Sequence, residues 1–180
     1  VAPSHRSMME ILFVALITRR RLRYMGKESV FKLPVLGTIF RWLGGFPVAR
    51  DGTDRKAVRD SMAMLDAGEL LTVFPEGTRQ NGPKIAPLQP GVAYLALRSN
   101  VPIIPVGVAG SEEIFRSHPG RKKLNLPGFG RVVIVVGDPI MPPARTTSTV
   151  PRADVDALTT TVAEGLQQAF DEAYRERDGE

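Results

Sequence analysis

The chain contains 180 residues, with 24 Lys and Arg, 19 Asp and Glu, and a formal net charge of +5. This length suits one domain, and 43% hydrophobic with 24% charged residues excludes a disordered or collagen-like chain. The absence of cysteine excludes disulfides, catalytic thiolates and Cys-based zinc sites, and two histidines are too few for a poly-His metal site.

The charge is divided unequally along the chain. Residues 1–150 contain 21 Lys and Arg against 11 Asp and Glu, whereas residues 151–180 contain 3 against 8. A basic body predicts an anionic partner, which can be nucleic acid, an anionic membrane surface or a phosphorylated substrate. The aromatic content of 7% is low and no recognised nucleic-acid motif occurs, so we expect no nucleic acid partner.

Short apolar runs alternate with helical patterns, which favours an α/β fold with a mostly parallel central sheet flanked by helices. In chain order, the patterns predict strands at 21–24 and 46–49, a helix over 54–67, a strand at 70–74, a helix over 92–99, strands at 103–108 and 132–136, and a helix over 151–175. The three later strands are apolar without alternation, as in strands covered on both faces. Polar loops are predicted over 116–130 and 139–149.

The sequence begins with Val rather than Met, and informative residues follow at once. We therefore expect residues 1–180 to form a single domain whose natural start is missing, with an acidic C-terminal helix over 151–180. The longest apolar stretch, Met8 to Ile17, is interrupted by Glu10 and is shorter than the roughly 20 residues that span a bilayer. The visible part is expected to be soluble or to lie on a membrane surface.

The first candidate site is a histidine and a carboxylate five residues apart. On a regular helix His5 and Glu10 would lie about 140° from each other, because each residue turns by about 100°. They can meet only if His5 precedes the helix and Glu10 folds back from the next turn. Glu10 could then hold one imidazole nitrogen while the other acts as a general base. A helix-capping or surface histidine is the alternative.

The second candidate is the segment Phe-Pro-Glu-Gly-Thr-Arg at residues 74–79, which directly follows a predicted buried strand. Ligands bind at the carboxyl ends of strands in open α/β sheets. Glu76 and Arg79 place opposite charges in a turn made by proline and glycine. The pattern is typical of either a binding site or a turn with a surface ion pair.

Two further segments complete the set. Residues 44–50, Gly-Gly-Phe-Pro-Val-Ala-Arg, place Arg50 at the end of a short strand, where its planar guanidinium suits phosphate oxygens. A solvated arginine at a strand end is the alternative. Residues 101–106, Val-Pro-Ile-Ile-Pro-Val, are typical of a core strand that begins after a proline.

Taken in chain order, the four segments resemble those of the 1-acylglycerol-3-phosphate O-acyltransferase family of glycerolipid acyltransferases. That family carries a His-x4-Asp block, a Gly…Phe…Arg block, Phe-Pro-Glu-Gly-Thr-Arg and Val-Pro-Ile-x-Pro-Val. Segments 27–37 and 91–96 are also similar to family segments, so that the resemblance covers about residues 1–140. Four blocks in the same order are far more specific than any one of them.

The resemblance implies a glycerolipid acyltransferase-like fold and an enzyme that transfers a fatty acyl group. The donor would be a thioester of coenzyme A or acyl carrier protein, and the acceptor would be the free hydroxyl of 1-acylglycerol 3-phosphate, giving phosphatidate. His5 would take the hydroxyl proton, with Glu10 behind it, and no metal or other cofactor is implied. The residues that would bind the glycerol phosphate are Arg50, Glu76, Gly77, Thr78 and Arg79.

One position departs from the family pattern, because Glu10 stands where the family has Asp. The additional methylene permits the same hydrogen bond after a small backbone adjustment, or it misorients His5. A non-catalytic lipid-binding homologue is therefore one alternative. A second alternative is the same chemistry on another lysolipid or on glycerol 3-phosphate, since such blocks occur across related acyltransferases.

Membrane contact is implied because lysophosphatidate and phosphatidate reside in bilayers. Basic residues near an anionic leaflet each contribute about 1 kcal/mol to binding. Two basic clusters occur, one of Arg19, Arg20, Arg21 and Arg23, the other of Arg121, Lys122 and Lys123. We expect the protein on the cytoplasmic side of the membrane, either peripheral or anchored by a segment outside this sequence.

Overall fold

The computed structural model of the chain describes residues 1–48, 55–114, 130–144 and 149–179. Its strands are β1 (Ala2–Pro3), β2 (Leu22–Lys27), β3 (Gly45–Val48), β4 (Leu70–Thr72), β5 (Pro105–Ala109) and β6 (Val133–Val136). Its helices are α1 (Glu10–Ala15), α2 (Glu28–Phe31), α3 (Pro34–Trp42), α4 (Arg55–Asp66), α5 (Gly91–Ser99) and α6 (Arg152–Asp178), with one 3₁₀ turn at Ser111–Glu113.

The predicted α/β architecture is confirmed, and each predicted strand and helix occurs. The strand predicted at 70–74 ends earlier, at Thr72, and the strand predicted at 103–108 begins later, at Pro105. β1, α2 and α3 were not predicted. Some of the predictions concern residues outside the described ranges. These residues are Asp54, most of the loop 116–130 with its cluster Arg121, Lys122 and Lys123, and residues 145–148.

Hydrogen bonds arrange the strands as two three-stranded sheets, β3-β2-β4 and β1-β5-β6. β2 is parallel to β3 and β4, and β1 is parallel to β5, whereas β6 is antiparallel to β5. Val1 joins the two sheets in parallel fashion, since it donates to Leu71 O at 2.7 Å and accepts from Val73 N at 3.0 Å. The carboxyl ends of β1 to β5 therefore lie along one edge of the sheet, here called the carboxyl edge.

Alternate residues of β5 face two helical layers. Val106 and Val108 pack in one cluster with Val14 of α1. Gly107 faces the opposite layer, where α6 passes so closely that an added Cβ would lie 2.1 Å from Ala169 O. That second layer also contains α5, which packs against both α4 and α6.

The core of the second layer depends on the apolar stripe of α6. The stripe predicted from the sequence is buried at every position and comprises Val155, Leu158, Val162, Leu166 and Phe170. Burial of this face supplies the main stabilisation of a helix whose remaining residues are mostly polar. The acidic C-terminal helix is thus part of the core and covers β5 and β6.

The close approach of β5 and α6 gives a direct stability test. Gly107→Ala should destabilise the protein by about 1–3 kcal/mol or more, because the new methyl group meets backbone rather than a movable side chain. Urea unfolding would measure the loss. Gly91→Ala is the matched control, since nothing lies within 4 Å of an added Cβ there. Equal stability of the two variants would contradict the packing described.

Candidate active site

The pair predicted from the His-x4-Glu spacing meets as the helical geometry requires. His5 lies between β1 and α1, and Glu10 is the first residue of α1. His5 Nδ1 lies 2.9 Å from Glu10 Oε2. Because a carboxylate only accepts hydrogen bonds, Nδ1 carries the hydrogen and the lone pair of the neutral ring is on Nε2. The His5 side chain is 16% exposed and lies at the edge of a buried site.

The Glu10 carboxylate is fully buried and depends on three donors. Arg6 N donates to both oxygens, at 2.7 and 2.9 Å, and Ser111 Oγ donates to Oε1 at 2.8 Å. The third donor is the imidazole of His5. A buried carboxylate without such partners would cost several kcal/mol, and the donors therefore fix the position of Glu10.

The segment after β4 wraps around His5. The Phe74 ring stacks on the imidazole, with 4.2 Å between ring centroids and an interplanar angle of 30°. His5 N donates to Glu76 Oε1 at 2.8 Å, and Gln80 N donates to His5 O at 2.8 Å. The His5–Glu10 pair and the segment 74–79 therefore form one site at the carboxyl edge.

Glu76 lies beneath the surface of this site. Its carboxylate accepts from Arg6 Nη1 at 3.0 and 2.9 Å, from His5 N, and from Ala86 N at 3.0 Å. Both Glu76 and Arg6 are buried, so hydrogen bonds within the protein replace the hydrogen bonds to water that the two charged groups would otherwise make. Direct contact between Glu76 and an acceptor molecule stays a prediction.

Arg6 also connects the site to the C-terminal helix. Its guanidinium lies 4.6 Å from the centroid of the Phe170 ring in α6, and Nη2 donates to Lys84 O at 2.9 Å. Gln167, one turn earlier in α6, accepts from Ile85 N at 2.8 Å. The loop between β4 and α5 is therefore fixed from the α6 side.

The last residues of the segment 74–79 lie at the surface. Gly77 adopts a φ of +72°, a conformation that favours glycine, and it turns the chain so that Thr78 and Arg79 are exposed. Within the described part of the chain, the Arg79 guanidinium has no hydrogen-bond or ion-pair partner. Arg50 lies outside the described residues, two positions after the end of β3 in the sequence.

Ser111 and Arg6 were not identified from the sequence. Ser111 directly follows Gly110 at the end of β5, and a polar residue after a buried strand is a usable signal for a site at the carboxyl edge. Arg6 gives no such signal, since its burial depends on Glu76 and Phe170, which are distant in sequence.

No group of three or more His, Asp or Glu side chains suited to a metal ion occurs among the residues that the structure describes. Every helix in those same residues is too short or too polar to span a bilayer.

Residues 1–109 match the Acyltransferase family. The chain belongs to this family. This confirms the resemblance drawn from the four segments, and the matched residues contain His5, Glu10 and the segment 74–79.

Named relatives agree with this assignment. The 1-acyl-sn-glycerol-3-phosphate acyltransferase of Bacillus subtilis is 22% identical over 144 residues, which is 78% of this chain and 65% of the relative. The alpha form from Mus musculus is 27% identical over 180 residues, 96% of this chain and 58% of the relative. The chain thus spans about three fifths of the length of these two relatives.

The fold is similar to that of a solved acyltransferase. The crystal structure of the 1-acyl-sn-glycerophosphate acyltransferase from Thermotoga maritima superposes with a TM-score of 0.70 at 23% identity. The match covers 95% of this chain and 64% of that one. The expected glycerolipid acyltransferase-like fold is confirmed.

The role of Ser111 can be tested through stability. Ser111→Ala should lower the free energy of unfolding by about 1–3 kcal/mol, because a buried carboxylate loses one of its donors. Ser61→Ala is the matched control, since Ser61 is equally buried and its Oγ has no partner in the described residues. Chemical denaturation would compare them, and an equal loss in both variants would contradict the proposed support of Glu10.

Proposed function

We propose that the chain transfers an acyl group from a thioester to the free hydroxyl of 1-acylglycerol 3-phosphate. One observation carries the proposal: a His5–Glu10 pair lies at the carboxyl edge, directly beside the segment that ends in the exposed Arg79. The names of the relatives support this acceptor. Another lysolipid or glycerol 3-phosphate remains the alternative acceptor.

In the proposed reaction, His5 acts as the general base. Nε2 takes the proton of the acceptor hydroxyl as its oxygen attacks the thioester carbonyl. The resulting tetrahedral intermediate collapses, the carbon–sulfur bond breaks, and the imidazolium returns the proton to the leaving thiolate. The products are the new ester and the free thiol of coenzyme A or of acyl carrier protein.

Glu10 makes His5 a suitable base in two ways. Its hydrogen bond keeps the proton on Nδ1, which presents the Nε2 lone pair to the acceptor. Its negative charge also stabilises the imidazolium that forms during the reaction. These are the functions of a catalytic carboxylate, and they favour a working site over the non-catalytic alternative.

The additional methylene of Glu10 is accommodated by the turn before α1. The side chain folds back over the turn, and both oxygens reach Arg6 N while Oε2 still reaches His5. The contact that the family makes with Asp is thus compatible with Glu in this chain.

Binding of the acceptor phosphate is assigned to the exposed arginine. The Arg79 fork can donate two hydrogen bonds to phosphate oxygens, and Arg50 is the second cation proposed from the sequence. Gly77 and Thr78 would border the phosphate, while Glu76 would act through Arg6 and the His5 backbone. Fixing the phosphate also fixes the hydroxyl beside Nε2, and such positioning lowers the barrier.

Acceptor and product are both lipids, so we place this reaction at a membrane surface. The proposed location is the cytoplasmic side. The proposed donor is the acyl thioester, without any further cofactor.

Removal of the base should abolish turnover without unfolding the protein. His5→Ala should lower kcat by about 10²–10⁴-fold, the usual contribution of a general base. Thiol release from acyl-coenzyme A and acyl carrier protein, with lysophosphatidate present, would measure it. His118→Ala, which removes the other histidine, is the control. Turnover retained in His5→Ala would contradict the mechanism, and absent turnover in the unmodified chain would favour the non-catalytic alternative.

Removal of the phosphate-binding cation should change acceptor use selectively. Arg79→Ala should raise KM for lysophosphatidate roughly tenfold or more, since a charge-assisted bidentate contact is lost. Turnover of a monoacylglycerol, which lacks the phosphate, should be unchanged. Arg59→Ala, an exposed arginine of α4, is the control. Equal losses on both acceptors would contradict a phosphate contact.

A further inference from the structure

Exposed apolar side chains are concentrated in one part of the molecule. Nine large hydrophobic residues are exposed among the described residues, and seven of them lie between positions 8 and 42. These seven are Met8, Leu12, Leu16, Leu33, Val35, Ile39 and Trp42. Such clustering marks an interaction surface, because scattered single residues are the ordinary case.

On α1 the apolar residues point away from the core. Glu10 and Val14 are buried, and Leu12 and Leu16 are each two positions later, which turns them by about 200° on a helix. Leu16 is 78% exposed. The outer side of α1 is therefore apolar where a water-soluble helix would be polar.

Apolar side chains also lie on the outer side of α3. Val35, Ile39 and Trp42 follow one another at spacings of four and three residues, which places them in one stripe. Gly37 lies opposite this stripe and is buried. Val35 is 68% and Trp42 is 82% exposed, so the stripe faces solvent.

The two stripes belong to one side of the sheet. Tyr24 and Gly26 lie on the same face of β2, because side chains alternate along a strand. Tyr24 Oη donates to Ile11 O in α1 at 2.9 Å, and a Cβ added at Gly26 would lie 3.0 Å from the Phe31 ring at the end of α2. α1 and the α2–α3 pair therefore cover the same face. We call the seven exposed residues the apolar face.

Exposed basic residues adjoin the helices that carry the apolar face. The exposed residues Arg19, Arg20 and Arg21 follow α1, Lys32 precedes α3, and Arg41 lies in the last turn of α3. The exposed carboxylate of Glu28 is paired with Lys32, at 3.1 Å. An apolar surface with a basic margin matches the interface of an anionic bilayer, where apolar side chains enter the acyl region and basic ones meet lipid headgroups.

We propose that the apolar face inserts into the surface of an anionic lipid bilayer and holds the protein there. Met8 of this face is three residues after His5, so docking would bring the catalytic base to the headgroup level. An acceptor lipid could then reach Nε2 without leaving the membrane entirely. The inference rests on the proposed function, which requires a lipid acceptor.

The only tryptophan of the chain, Trp42, reports on this docking. The unmodified chain should bind vesicles of equal parts phosphatidylcholine and phosphatidylglycerol, with a blue shift of Trp42 emission and quenching by brominated phosphatidylcholine. The double variant Leu16→Gln, Val35→Gln should bind roughly tenfold more weakly, because two side chains lose the favourable free energy of transfer from water into the bilayer. Neutralising Arg19, Arg20 and Arg21 to Gln should weaken binding about fivefold per charge.

Met141→Gln is the matched control, because Met141 is 62% exposed and lies outside the apolar face. The proposal is overturned if the double variant binds like Met141→Gln, or if vesicle binding leaves Trp42 emission unchanged. It is also overturned if Trp42 is already shielded without lipid and sedimentation shows a dimer that the double variant dissociates, since a second copy would then cover the face.

An activity measurement separates this inference from the proposed function. With a short-chain lysophosphatidate that is soluble as a monomer, the double variant should turn over as the unmodified chain does. With the acceptor in vesicles, it should lose activity in parallel with binding. Absence of turnover on both acceptors in the unmodified chain would refute the proposed function, whereas equal loss on both acceptors in the variant would refute docking by the apolar face.

Discussion

The buried charge of Glu10 is the constraint on which the site depends. A carboxylate removed from water needs donors, and the fold supplies them from three places: the turn before α1, the imidazole ring and the end of β5. Two of these donors belong to neighbouring residues of the turn before α1, His5 and Arg6, and the third, Ser111, belongs to the segment after β5. The turn that carries His5 is thereby fixed against the sheet, and the direction of the imidazole is set before any ligand arrives.

The site divides into a buried frame and an exposed surface. Glu10, Arg6 and Glu76 form the frame, where each charge meets an opposite charge or several hydrogen bonds. The imidazole edge and Arg79 form the surface. This division suits chemistry on a charged lipid, because the frame holds its geometry in a dry interior while the surface groups stay available to the ligand.

Much of this arrangement follows from local sequence rules. The angle between residues on a helix shows that His5 must precede α1, and uninterrupted apolar runs indicate the buried strands. α3 escaped prediction because Pro34 and Gly37 resemble a loop, and because its apolar stripe faces outward. The sequence also does not show which of the two charged residues, Glu76 or Arg79, is buried and which is exposed. Both stand in one turn, and their difference arises from Arg6, which is 70 residues from Glu76 in the chain.

The ring of Phe170 beneath the Arg6 guanidinium has a consequence for how this chain can change over time. The match to the Acyltransferase family stops at residue 109, yet the Arg6 guanidinium that supports the His5 turn lies against the ring of Phe170 in α6. The residues that support the active site thus extend beyond the part of the chain that matches the family. A chimaera that took only residues 1–109 from this chain would keep this contact of Arg6 only if its own C-terminal helix placed an aromatic ring at the position of Phe170.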